Sequence, residues 1–327
     1  MGKKKGSFSV SLLSVMVVLF LNVWVEQVQS QVKYPTRAID IIVPFTAGGG
    51  ADLYPRFIAE NLKAKWGVPM NVINKPGGNT VPANLEVHQA TPDGYTLLAD
   101  GQASCSLLEI AVRDLPFKIM DRTFIAIIAV SPTVFYVPST YPWKTLKDLE
   151  VEAKRDPEHF TWASLGSAGP GDYVVRQFFN SIGVDISKTK PIICRGSSEA
   201  AALTAGGHVK MAASSATSAY STVKAGKTRA VGITGFRMSI YPGLPTAVEQ
   251  GYSAITAVWW TGFSGPPKLP SHIIDKWNQA LEELLKDPEF ISKIDKIGGV
   301  PFYRNSLEAR EYVRKEMEET KQFWGLK

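Results

Sequence analysis

Two glycine-rich segments hold the residues whose types and spacing could bind a ligand: Thr46-Ala-Gly-Gly-Gly-Ala-Asp52 and Ser164-Leu-Gly-Ser-Ala-Gly-Pro-Gly-Asp172. Each follows a short apolar run and opens an amphipathic one, so each predicts a turn from strand into helix. The first turn of a helix leaves backbone N–H groups unpaired, and the helix dipole puts positive potential at the same place. Glycines let the backbone curl closely around a ligand. Such a turn binds an anion without a charged side chain, and Thr46 and Ser167 add hydroxyl donors. In open α/β sheets these turns lie at the carboxyl ends of strands, where ligands bind. Taken singly, either turn reads equally well as a tight connector. As a pair in matching positions, they favour a carboxylate clamped from both sides.

Competing chemistries fit less well. TAGGGAD lacks the G-x-G-x-x-G spacing of a dinucleotide site, and no Gly-Lys-Ser/Thr follows it for a phosphate loop. WASLGSAG is not a G-x-S-x-G elbow, and no histidine is placed by local sequence to activate Ser164 or Ser167, so an exported serine-dependent hydrolase with remote partners stays open only as the weaker alternative. His88, His159, His208 and His272 show no metal-ligand spacing among themselves or with Cys105 and Cys194. Neither a metal nor a cofactor is expected. The two cysteines read better as thiols than as a bridge, although export would permit one.

The elements that must position these turns begin after a leader. Lys3, Lys4 and Lys5 precede an uncharged apolar stretch from Phe8 to about Val25, and a cleavage site fits before Gln31. That order is a secretory signal peptide over residues 1–30. The alternative is an anchor helix, which Asn22 and the serines weaken. The mature chain is expected in the periplasm. Removing Lys3 to Lys5 and Glu26 lowers the formal net charge from +6 to about +4, with no basic block left, which argues against nucleic acid.

A mature chain of this length suits two lobes. Strands are expected at 38–43, 70–73, 96–99, 124–130 and 133–137, then at 159–163, 190–193, 209–213 and 229–234. Helices follow most of them, and AVWWTGF reads as a turn. The late helices, 271–285, 288–297 and 306–323, follow a complete second set of units. They are expected to return to the first lobe, so residues 31–132 and 255–327 form lobe one and 133–254 lobe two. The crossings near 133 and 254 are the expected hinge.

These residues sit inside a longer pattern. YPTRAIDIIVPFTAGGGAD, NVINKPGG, ATPDGYTLL, WASLGSAGPGD, AGKTRAVGITGFRMSIYPGLPTAVEQGY and WWTGFSGPPKLP follow in order. Across the whole mature chain this resembles the Bug family, the periplasmic substrate-binding proteins of tripartite tricarboxylate transporters. The resemblance implies a two-lobed type II periplasmic-binding-protein α/β fold, each lobe a mainly parallel sheet flanked by helices. It implies a monomer that closes on a small organic carboxylate and delivers it to a two-component membrane permease. A sensory role handing the ligand state to a signalling partner stays open.

Carried over by the resemblance, the ligand residues are Phe45, Thr46, Ala47, Gly48, Gly49 and Asp52 in lobe one. In lobe two they are Ser164, Gly166, Ser167, Ala168, Gly169 and Asp172. Asp52 and Asp172 serve equally well as helix caps, with Asp52 read as an N-cap. The chain departs from the family at Cys194-Arg195-Gly196, at Asn79 and Thr80, and at Lys210. Arg195 could pair with a second carboxylate or lie solvated at the surface. Ser214, Ser215 and Thr217 could line the distal end of the cleft, Asp100-Gly101-Gln102 could border it, and Trp259 and Trp260 divide between ligand contact and core packing.

Overall fold

Residues 39–43 form β1 (Ile39–Val43), with four of the five residues buried. A strand covered on both faces reads as continuous apolar sequence rather than as an alternation. Helix α1 (Gly50–Trp66) follows and is stopped by Gly67 in the left-handed region at φ 69°, the usual helix C-terminal solution. Next come β2 (Met70–Asn74), α2 (Val81–Gln89), β3 (Thr96–Gly101) and α3 (Ser106–Ala111). The 16-residue β4 (Thr123–Pro138) leads to α4 (Leu146–Arg155), β5 (Thr161–Ser164) and α5 (Pro170–Ser181). Then follow β6 (Lys190–Ile193), α6 (Ser197–Ala205), β7 (Ala212–Ser215), α7 (Ala216–Lys224) and β8 (Thr228–Ile233). The chain closes with β9 (Val258–Gly265), α8 (Ser271–Leu284), α9 (Pro288–Lys296), β10 (Val300–Arg304) and α10 (Ser306–Phe323). This computed structural model describes residue 2, residues 33–165 and residues 169–325. The expected leader therefore lies, apart from Gly2, outside the described residues. All the elements belong to one compact unit, Arg37–Lys327.

Strand β4 organises the architecture. Its first part, Thr123 to Pro132, pairs with β9; from Thr133 onward it pairs with β7 and β8. The sequence around Pro132 suggests two strands, yet the chain runs on from one group of strands into the other. Below, lobe one means β1–β3, the first part of β4, β9 and β10; lobe two means the remainder of β4 with β5–β8. Because β4 leaves lobe one and β9 returns beside it, the two run antiparallel. The expected mainly parallel order holds for β2-β1-β3 and for β5-β6, while β3-β9, β9-β4 and β4-β10 in lobe one and β4-β7 and β4-β8 in lobe two are antiparallel. The sheet is mixed. A parallel bridge from Trp162 to Met211 links β5 to the segment before β7.

The segment AVWWTGF is thus mostly the strand β9 rather than a turn. Its two tryptophans part company. Trp260 is buried in the lobe-one core with Phe124, Ile127 and Val313, and its indole N–H donates to the Glu316 carboxylate at 2.9 Å. Ser106 and Gln102 donate to the same carboxylate, pinning α10 to β9 and α3. Burial pushes the Glu316 carboxyl up to about 7.

Lobe two packs Phe135, Trp162, Phe178 and Phe179 into its own core. Cys105 and Cys194 are buried free thiols, one in each lobe. Burial pushes the Cys194 thiol up to about 11 and Cys105 well above its ordinary value, so neither is a ready nucleophile.

Candidate functional site

In the first turn, the N-cap of α1 is Gly49 and Asp52 stands at the third helical position. This corrects the expected Asp52 cap: its carboxylate works from inside the helix, reaching back to accept the Gly48 N–H at 2.9 Å. Asn74 donates to Asp52 at 2.9 Å and to the Phe45 carbonyl at 3.0 Å, and Arg56 pairs with Asp52 at 2.8 Å. Burial alone would raise the Asp52 pKa, but the hydrogen bonds from Arg56, Gly48 and Asn74 outweigh it and hold the carboxyl below its usual value. The charge on Asp52 is spent on shaping the turn. Gly48 has φ +86°, a conformation that favours glycine.

The second turn repeats the plan. Gly169 is the N-cap of α5, and Asp172 again occupies the third helical position. Asp172 is buried and accepts the Leu165 N–H at 2.7 Å and the Ser164 hydroxyl. Gly166, Ser167 and Ala168 lie outside the described residues.

Between the turns lies a small cavity. Lobe one contributes Phe45, Thr46, Gly49, Gly50, Ala51 and Trp259; lobe two contributes Leu165, Gly171, Ser197, Ser214, Ser215 and Ser218. Four helix N-termini meet there: α1 through Gly49 to Ala51, α5 through Gly171, α6 through Ser197, and α7 through Ser215 and Ser218. Ser215 caps α7, and its hydroxyl lies 2.9 Å from that of Ser218. Each helix start carries positive potential equivalent to about half an elementary charge. None of the described lining residues is charged. The chamber is therefore positive through backbone dipoles and donor-rich through hydroxyls, a chemistry suited to an anion.

The lobes touch across it. The Ser198 hydroxyl donates to the Ala47 carbonyl at 3.4 Å, and a Cβ built on Gly49 would lie 3.4 Å from the Ser218 Oγ.

Of the expected residues, Phe45, Thr46, Gly49, Ser214 and Ser215 line the cavity directly, as does Trp259. Ala47 and Gly48 stand at its rim beside Ser198. Asp52, Ser164 and Asp172 are hydrogen-bonded within the two turns, and Gly169 caps a converging helix. Arg195 is placed elsewhere: its side chain is 80% exposed, pairs with Glu199 at 3.2 Å, and is not among the lining residues. Lys210 is bound to Glu152 at 2.8 Å, also off the cavity. Asp100 is buried, accepts the Ser104 hydroxyl at 2.5 Å and faces Arg122 at 3.4 Å. Asn79 and Thr80 adopt positive φ of 49° and 67° just before α2. Leu165, Ser197 and Ser218 were not singled out by sequence reasoning. Ser197 directly after Gly196, and Ser218 three residues after the Ser215 cap, carry helix-start signals, but those signals do not place them at the cavity.

The sequence matches the tripartite tricarboxylate transporter family receptor, TctC, over residues 55–324. A UPF0065 protein of Bordetella pertussis is 27% identical over 87% of this chain and 87% of its own length. A solved periplasmic transporter superposes with a TM-score of 0.85 at 26% identity, covering 90% of this chain and 98% of that one. An R. palustris protein solved with adipate gives a TM-score of 0.85 at 23% identity, covering 90% of this chain and 99% of that one. The chain belongs to the family of tripartite tricarboxylate transporter receptors.

Proposed function

We propose that this protein is an exported, monomeric receptor that closes its two lobes on a small organic carboxylate and presents it to the membrane permease of a tripartite transporter. The observation that carries the reading is the meeting of four helix N-termini on a chamber with hydroxyl donors and no charged lining side chain among the described residues. The ligand carboxylate takes its hydrogen bonds from backbone N–H groups at the starts of α1 and α5 and from Thr46, Ser197 and Ser215. Adipate, held by the R. palustris relative, is a small dicarboxylate and supports the ligand class. The Lys3–Lys5 leader and the periplasmic relative support export to the periplasm.

Residues 31–132 with 255–327 move as one lobe and 133–254 as the other, with β4 at Thr133 and the return near 254 as the hinge. The chemistry is capture by a shift between open and closed forms, with no covalent step. The Ser164 hydroxyl is held by Asp172 and that of Ser215 lies beside Ser218, consistent with that assignment.

The test is thermal unfolding and calorimetric titration of the purified protein against mono-, di- and tricarboxylates, each beside its neutral amide. A cognate acid at 100 times its Kd adds about 2.7 kcal/mol of stability, and the amide adds none. The reading fails if no acid stabilises the protein or if amide and acid stabilise it equally.

A further inference from the structure

One tight approach across the cleft involves a residue whose backbone does not require its identity. Gly196, the N-cap of α6, has φ 178° and ψ 169°, extended backbone open to any residue. A Cβ on it would lie 2.3 Å from the Thr46 Oγ1 and 3.4 Å from the Thr46 Cβ in the opposite lobe. The neighbouring approaches are looser, 3.8 Å from a Gly48 Cβ to the Ser198 Oγ and 3.4 Å from a Gly49 Cβ to the Ser218 Oγ. Glycine at 196 is therefore explained by what stands across the cleft.

We propose that Thr46 and Gly196 form the stop that sets how far the lobes close, and with it the size of ligand the cavity takes. Both stand at the chamber: Thr46 lines it, and Gly196 immediately precedes Ser197, which also lines it. Repulsion at such a contact rises steeply, and packed interfaces transmit a small added volume as displacement rather than absorbing it. A methyl at 196 either holds the α1 and α6 starts apart or turns the Thr46 hydroxyl out of its place. Each result alters the space between the two helix N-termini that face the ligand. The size consequence rests on the carboxylate reading above; the stop is a property of the closed lobes themselves.

The experiment compares wild type, Gly196→Ala, Thr46→Ala and the double variant, using straight-chain carboxylates of increasing length. Gly196→Ala is expected to weaken the shortest acid bound by about tenfold and longer acids less. In the Thr46→Ala background, where no Oγ1 remains to collide, the same alanine is expected to change affinity by less than about twofold. Equal losses in the two backgrounds, or a loss uniform over chain length, overturn the proposal.

Hydrogen exchange of the ligand-free proteins gives a readout that needs no ligand. Gly196→Ala should speed exchange in peptides covering residues 44–51 and 195–199, and Thr46→Ala should cancel that increase. An unchanged or uncoupled exchange pattern also overturns the stop. A wild type that binds no acid yet shows the coupled exchange defeats the ligand reading and leaves the stop supported.

Discussion

In both turns a glycine caps the helix and an aspartate at the third helical position reaches back to a turn N–H, yet the glycines face different ways. A Cβ on Gly49 or Gly50 would meet Ser218, Ser215 and Trp259, residues that line the cavity. A Cβ on Gly169 would meet Leu165 and Asp172, and one on Gly171 would meet the Ala213 carbonyl, all within lobe two. The same motif thus does two jobs. In lobe one its small residues fit the mouth against the other lobe, and in lobe two they let α5 settle onto its own sheet. The aspartates differ as well: Asp52 holds a guanidinium along with its N–H, whereas Asp172 takes the Ser164 hydroxyl and the Leu165 N–H.

The largest effect that tests this contrast comes from Gly171→Ala. The new methyl would sit 2.0 Å from the Ala213 carbonyl oxygen, with its carbon at 3.0 Å. That neighbour is backbone of β7, so α5 must lift away from the strand. Overpacking of this kind costs about 3 kcal/mol or more, outweighing any helix-propensity gain from alanine. Denaturant unfolding should show the loss with no ligand present. A loss below about 1 kcal/mol would break the assignment of the second turn's glycines to packing.

Much of this site was legible before folding. The strand–glycine–helix order located both turns, and the helix expected at 306–323 runs from Ser306 to Phe323. Other features depend on distant partners. Trp259 and Trp260 adjoin in sequence and point to opposite fates, because alternate residues of a strand face opposite sides. β9 lies between β3 and β4, and its buried run lacks the polar alternation that marks a half-exposed strand. Pro132 suggested a break where β4 merely changes partners. Arg195 has a sequence neighbour, Glu199, that holds it at the surface, so its charge alone misleads. Ser197 and Ser218 enter the site only once α6 and α7 are set against α1, and no local spacing encodes that.

A middle-sized effect separates the two aspartates. Asp52→Ala leaves the Gly48 N–H without its acceptor and the Asn74 amide with the Phe45 carbonyl alone, while the half-exposed Arg56 returns to water. Loss of hydrogen bonds to a charged group costs about 2 kcal/mol, and the loosened turn should also weaken ligand binding. Since the folded state lowers the Asp52 pKa, its contribution is complete above the ordinary aspartate value of 3.8. It is lost as pH falls through the folded value. Unfolding curves of wild type and variant should therefore differ fully at neutral pH and converge in acid. A gap that stays constant down to acid would mean that Asp52 acts by packing rather than by charge.

The smallest expected effect is the sharpest test of the comparison. Gly50→Ala puts a methyl 3.2 Å from the Trp259 ring and 3.4 Å from the Ser215 Oγ, side chains that can yield by a few tenths of an ångström. Gly50 is the first helical residue of α1, where alanine recovers up to about 1 kcal/mol of propensity. Stability should then stay within about 0.5 kcal/mol of wild type. Affinity should fall by roughly threefold, or about 0.65 kcal/mol, because the crowded side chains form part of the ligand chamber. The two glycines thus make opposite demands on one pair of measurements: Gly171→Ala must register in unfolding without ligand, and Gly50→Ala chiefly in titration. A Gly50 variant that unfolds as readily as the Gly171 variant would mean that both turns serve their own lobe, and the division of labour between them would be lost.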